Sequence, residues 1–296
     1  MWAVSISMGH SFSFVHSSGF MGHHRYIVQG WLFGLLLPVT VRGAFTIKYI
    51  SSCHVIRPFT PQAASDDLAI KAVVFDLDGT IAAFNMDYMA VRAEVRSFLI
   101  NKGLPASVLQ TNESIFDMLK KTEIFLKNKG KPEKSVGDIR GRALAIAEKH
   151  ELEAAGSTTL LPGVVSTLIV LKKMGLKIGL CTVNSERATS YILKHFNIAE
   201  YFDAVVPRNK VRCVKPNSEH LQAALNALNV TSSETMLVGD GTRDMQCAAE
   251  LKVVAVGLPT GVSSEKELTA YGATYLITSI ADLPTLIEHM NKALAD

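Results

Sequence analysis

Cysteine is scarce in this sequence: 296 residues contain only Cys53, Cys181, Cys213 and Cys247, and no two form a CxxC pair. A disulfide scaffold or a cysteine-type zinc site does not fit that usage, which suits a reducing compartment. Long apolar runs are also missing. The longest, Ile27–Val41, has 15 residues and includes Gln29, Gly30 and Pro38. A spanning helix needs ~20 mainly apolar residues, a length reached here only if the run continues past Arg42 to Ile50. Acidic residues are absent from residues 1–65, which carry four bases, Arg25, Arg42, Lys48 and Arg57. Residues 66–296 hold 26 basic and 27 acidic residues, so the overall net charge of +3 belongs to the N-terminal stretch. The body has no basic excess and gives no reason to expect a nucleic-acid partner.

What is present is a globular composition, 48% hydrophobic and 19% charged, with enough apolar side chains for a sizeable core. The length suits one large or two modest domains. Residues 1–65 differ in kind, with nine Ser and five of the nine His. Three readings stay open for them: a sorting leader, a membrane anchor, or an extension upstream of a true start near residue 66. The body is expected to be cytoplasmic, with leader or anchor as the alternatives.

From Leu68 the pattern alternates between strands and helices. Ala72–Phe75 is a short apolar, β-branched run that reads as a buried strand, followed at once by Asp76. About 75 residues without strand signals come next. Helices are expected there over Tyr88–Lys102, Ile115–Asn128 and Ser135–Glu153. Alternation resumes with a helix from Pro162-Gly163 to Met174, a strand Lys177–Cys181 and helices Ser185–Phe196 and Asn217–Leu228. A strand Glu234–Val238, a helix Met245–Leu251, a strand Val253–Val256 and a terminal helix Ile280–Ala295 complete it. The expected fold is α/β, a Rossmann-like, mainly parallel sheet flanked by helices with a small all-helical cap domain inserted. The core would comprise residues 66–85 and 157–296, and the cap residues 86–156. Ligands of such sheets bind at the carboxyl ends of the strands, and each polar motif falls there or in a following loop.

Four motifs carry chemistry. In VVFDLDGT, Asp76 and Asp78 stand two apart after a strand, so both can face the crevice while Leu77 packs away. Two carboxylates this close repel unless a cation or a shared proton holds them. Oxygen-only ligands favour Mg²⁺. The plain alternative is a strand-end turn stabilised by Asp. In LVGDGTRD, Asp240 and Asp244 add carboxylates, or cap the next helix. Thr182, at a strand end before a helix N-terminus, is a candidate anion contact or another cap. Lys215, in VKPN, can hold a phosphate oxygen and offset the carboxylates, or be a solvated loop residue.

Together these motifs form an ordered set: paired Asp, Thr, Lys, paired Asp. The set resembles the haloacid dehalogenase-like hydrolase superfamily over about residues 71–290, and phosphoglycolate phosphatase-type members in particular. "LPG" at 161–163, "KPN" at 215–217 and the late "YGATYLITSIADL" are similar to that group. Between Asp78 and Thr182 lie 103 residues, room for a helical cap, whereas only 32 separate Thr182 from Lys215. The resemblance therefore implies a cap between the first and second motifs. The second motif departs from the pattern, reading Thr-Val-Asn where the group often has Thr-Asn, so Asn184 is a weaker substrate candidate.

The resemblance implies a Mg²⁺-dependent phosphatase that hydrolyses a small phosphorylated metabolite through an aspartyl-phosphate. Asp76 would be the nucleophile, and Asp78 the acid and then the base. Asp76, Asp78 through its carbonyl, Asp240 and Asp244 would hold the metal, and Thr182 and Lys215 the phosphate. Asp87, Tyr88 and Arg92, at the start of the insert, could face the site, with Arg92 taking a substrate carboxylate or second phosphate; the other reading is a solvated helix face. A phosphomutase of the same superfamily and a non-catalytic binding or regulatory protein are the rival readings. Nothing in the sequence sets the oligomeric state.

Overall fold

The computed structural model describes residues 69–83 and 85–293, together with the backbone of six short strands upstream. Among the latter, Ser13–His16, Tyr26–Gln29 and Val39–Val41 pair antiparallel, as do Trp31–Leu32 and Leu35–Leu36. The expectations for residues 1–65 otherwise lie outside the described residues. Among the described residues, no helix is long and apolar enough to cross a membrane.

The body is built on six parallel strands: β1 (Ala72–Phe75), β2 (Lys177–Thr182), β3 (Ala204–Pro207), β4 (Thr235–Gly239), β5 (Val254–Gly257) and β6 (Tyr275–Ile277). Their order across the sheet is β6-β5-β4-β1-β2-β3, and Cys53–Val55 adds antiparallel to β6 at the edge. This order reverses between β1 and β4, the place where a doubly wound sheet opens a crevice at its carboxyl edge.

Side chains alternate along the strands and separate two apolar layers. Val73, Phe75, Ile178, Leu180, Met236 and Val238 face one layer, and Ala72, Val74, Cys181, Val206, Leu237 and Ala255 the other. The first is covered by α4 (Val164–Lys173), α5 (Glu186–His195) and α9 (Leu283–Ala293), the second by α6 (Ser218–Leu228), α7 (Thr242–Leu251) and α8 (Glu265–Ala270). Each fully buried Leu, Ile or Phe contributes about 1.5–3 kcal/mol. Leu77 is buried in the first layer, as the Asp-x-Asp spacing predicts.

The inserted segment is all-helical. Helices α1 (Tyr88–Asn101), α2 (Ile115–Asn128) and α3 (Glu133–Ala155) share their own apolar cluster. Val91, Val95 and Leu99 recur every fourth residue on α1 and meet Met118, Leu119 and Ala147. The two crossings between insert and core run side by side: Ala83 N donates to Thr159 O (2.8 Å), and Thr158 Oγ1 to Ala83 O (2.9 Å).

Most element ends fall within two residues of expectation. Helix α7 begins at Thr242, three residues earlier than expected, because Asp244 at its third position accepts the Gly241 N–H (3.2 Å). The terminal helix divides into a 3₁₀ turn, Ile280–Asp282, and α9. Strand β6 and helix α8 were not expected. Three residues of strand and six of helix carry too little periodicity to be read without their neighbours.

Candidate active site

Three of the sequence candidates converge at the reversal point. Asp76 follows β1, Asp240 follows β4, and Asp244 lies in the first turn of α7; one carboxylate oxygen from each falls within 4.8 Å of the others. The Asp78 carboxylate is not in this group. Asp240 and Asp244 are buried and Asp76 is half-buried.

Lys215 enters from the loop ahead of α6. Its side chain is buried, and Nζ donates to Asp76 Oδ1 at 2.7 Å and to Asp244 Oδ1 at 2.6 Å. Burial works to lower its pKa, but the charges of Asp244 and Asp76 outweigh that and hold it well above the usual lysine value. Neither plain alternative, solvated loop residue for Lys215 or helix cap alone for Asp244, describes what is seen. Asp244 does both jobs, with Oδ2 on the helix N-terminus and Oδ1 on the lysine.

One ammonium does not balance these carboxylates. Burial, then the negative charges of Asp76 and Asp244, push the Asp240 carboxyl well above the usual range. Burial likewise raises Asp244, opposed by Lys215. Asp78 is raised to about 7, first by burial and then by Asp76, while a hydrogen bond from the Asn184 side chain pulls it down. The Thr80 hydroxyl, two residues beyond Asp78, is buried with no partner among the described residues.

The backbone is shaped around Asp240. Gly79 has φ +75°, and a Cβ there would stand 2.6 Å from Asp240 Cγ and 3.0 Å from Gly261 Cα. Asp240 Oδ2 accepts the Val262 N–H at 2.8 Å. Gly79→Ala therefore combines left-handed strain with a methyl in the carboxylate. It is expected to weaken divalent-metal binding by about 10–100-fold, read by calorimetric titration.

The donor set fits a hard divalent cation: three carboxylates, no nitrogen or sulfur ligand, and more negative charge than Lys215 neutralises. A pH consequence follows. Carboxyls raised in the folded state contribute stability that is full below their unfolded pKa, near 3.8, and is lost as pH rises through the folded values, near 7 for Asp78. A cation held by the ionised cluster acts oppositely, since protons compete with it. Saturating Mg²⁺ is expected to raise the unfolding temperature more at pH 8 than at pH 5.5. Equal shifts at both pH values would contradict this.

Thr182, the last residue of β2, is buried, and its Oγ1 accepts the Asn184 N–H at 3.2 Å. Its own hydroxyl proton remains available for an anion. Asn184 lines a narrow crevice with Asp78, Asn85, Glu151 and Ile192. The two cap candidates lie apart. Asp87 is exposed and caps α1, accepting the Ala90 N–H at 2.9 Å. Arg92 lies 4.3 Å over the Tyr88 ring and has a buried Nε without a partner. Among the described residues, neither bonds to the carboxylate cluster. Cys181 is fully buried in the core, and burial pushes its thiol far up, as suits a packing residue.

Sequence reasoning missed His220. Fully buried on α6, it accepts the Lys215 N–H at Nδ1 (3.3 Å), and its Nε2 faces Val206 O at 3.0 Å. Burial and then the Lys215 charge push its pKa down to about 4, so the ring is neutral and Nε2 is the donor. It ties the lysine loop to β3. Its place five residues after Lys215, in the first turn of α6, was the available signal.

The sheet and its inserted helices have counterparts among known proteins. Pyrophosphatase PpaX from Bacillus mycoides is 31% identical over 128 residues, 43% of this chain and 60% of that protein. The chain thus spans about 60% of the length of the curated relatives it matches. Among solved structures, a predicted phosphatase from Clostridium acetobutylicum superposes with TM-score 0.53 at 22% identity, over 75% of this chain and 100% of that one. A beta-phosphoglucomutase from Clostridium difficile gives 0.55 at 21%, over 77% and 100%. At these identities the likeness is one of fold. The haloacid dehalogenase-like hydrolase model matches residues 73–258, which span β1 through β5 and contain every member of the cluster, and the chain belongs to that family.

Proposed function

We propose that this protein is a Mg²⁺-dependent phosphatase acting on a small phosphorylated metabolite through an aspartyl-phosphate. The observation that carries the reading is Lys215, buried between Asp76 and Asp244 at the point where the sheet order reverses. It sets a cation beside a half-buried carboxylate that remains open to a ligand.

In this reading Asp76 attacks phosphorus in line, its carboxylate oxygen forming the new P–O bond as the ester oxygen leaves. Asp78, with a pKa near 7, carries a proton in part of the population near neutral pH and delivers it to the leaving oxygen. The resulting carboxylate then takes a proton from the water that cleaves the acyl phosphate. Thr182 and Lys215 hold non-bridging oxygens as charge builds on them. Asp76, Asp240 and Asp244, with the Asp78 carbonyl, would hold Mg²⁺, whose charge lets an anionic carboxylate approach an anionic ester. Residues 86–156 close over the site and select the leaving group.

The test is phosphate release by the full-length protein from an aryl phosphate and a panel of phosphorylated metabolites, inorganic pyrophosphate included. Release that needs Mg²⁺ and stops with a chelator supports the reading. A folded, Mg²⁺-loaded protein that releases nothing from any of them would sink it.

A further inference from the structure

One buried ion pair joins the cap to the turn that carries Thr182. Glu151, in the last turns of α3, and Arg208, just after β3, are 7% and 6% exposed. The Arg208 guanidinium bonds the Glu151 carboxylate through Nη1. The same nitrogen donates to Val183 O at 3.1 Å, and Nη2 to Leu144 O on α3 at 3.4 Å. The second Glu151 oxygen, Oε2, accepts the Ser185 N–H at 2.9 Å. The Arg208 backbone N–H donates to Asn184 O at 3.1 Å. Three consecutive residues, 183 to 185, are thus held by this pair. On that turn sit the Thr182 hydroxyl, which accepts the Asn184 N–H, and the Asn184 side chain, which lines one crevice with Asp78.

A buried ion pair adds little stability over an apolar pair of equal volume, because desolvation offsets the attraction. What it supplies here is direction. A carboxylate has two acceptor oxygens and a guanidinium a planar fork of donors, so together they fix where the turn's carbonyls and N–H groups point. We propose that Glu151, acting through Arg208, is a positioning residue of the phosphate site. The cap not only covers the site but holds the 182–185 turn in the arrangement that presents Thr182 and Asn184. This rests on the phosphatase reading above.

The test uses the full-length protein with Mg²⁺ and p-nitrophenyl phosphate, and compares wild type with Glu151→Gln, Arg208→Gln and the double variant. Gln has one acceptor oxygen and cannot serve both the guanidinium and the Ser185 N–H. Each single change is expected to lower kcat/KM by about 100-fold, mostly in kcat, as for a site group displaced by about 1 Å. Inhibition by inorganic phosphate weakens in parallel. The double variant is no worse than either single one, because both remove the same contact. The exposed pair Arg187–Glu148 also reaches from α3, to α5, at 2.8 Å, and Glu148→Gln stays within about twofold of wild type.

Amide hydrogen exchange at Ser185 is read separately from activity. It speeds up in both single variants while exchange in the central strands stays slow. Full activity in Glu151→Gln with unchanged phosphate inhibition, or additive losses in the double variant, would overturn the proposal. A wild type inactive on every ester refutes the phosphatase reading instead, and unchanged exchange at Ser185 then overturns the positioning role independently. Should Glu151→Gln fail to fold, Arg208→Lys carries the same measurements: it keeps the charge and loses the fork that reaches Val183 O and Leu144 O.

Discussion

Asp76→Asn is expected to reduce phosphate release by on the order of 10⁴-fold or more in kcat while leaving the protein folded. The amide has the shape of the carboxylate but no anionic oxygen to attack phosphorus. The fold tolerates the change because it removes one negative charge from a crowded cluster. Asp76 is among the groups that raise Asp78, Asp240 and Asp244, so its loss eases their repulsion. Lys215 keeps Asp244 at 2.6 Å. The accompanying measurement is the mass of acid-quenched protein during turnover. Wild type should carry one phosphoryl group and Asp76→Asn none. Activity within tenfold of wild type, or phosphorylation of the variant, would place the nucleophile elsewhere.

Lys215→Met is expected to cost both activity and stability, the second in a pH-dependent way. Loss of a donor to the transferring phosphoryl group lowers kcat by about 10²–10³-fold. The variant also leaves the buried Asp244 and the half-buried Asp76 without their cation, and removing one partner of a buried pair such as Lys215–Asp244 costs about 3–5 kcal/mol. The buried Asp244 carboxyl, which Lys215 otherwise pulls down, then holds its proton to higher pH, so the penalty is smallest near pH 5 and grows toward pH 8, where it must ionise. Added Mg²⁺ should recover part of the stability, because a divalent charge replaces the ammonium, and little of the activity, because the donor is gone. Urea unfolding of wild type and variant at both pH values, with and without Mg²⁺, reads each outcome. A penalty that does not depend on pH would mean that Lys215 acts there by packing alone.

Asp76 and Asp78 were legible in the sequence because an apolar, β-branched run followed at once by Asp-x-Asp marks the carboxyl end of a buried strand. Asp240 and Asp244 were legible for the same local reason, a strand end running into a helix N-terminus. The core strands β1, β2, β4 and β5 could likewise be read as short apolar runs, and the cap helices from segments without strand signals ended by Gly and Pro. Only the tertiary structure decided what each group does to the others. That Lys215 bridges Asp76 and Asp244, residues 139 and 29 positions away, depends on β1, β3 and β4 lying in one sheet. No local pattern carries that information. His220 gains its role only where the fold places its ring between Lys215 and Val206. Glu151 and Arg208 are separated by 57 positions, and each alone looks like a solvated charge. Residue type and spacing determine the chemistry available at each strand end. The strand order determines which ends meet, and burial at that meeting point changes which of their charges survive near neutral pH.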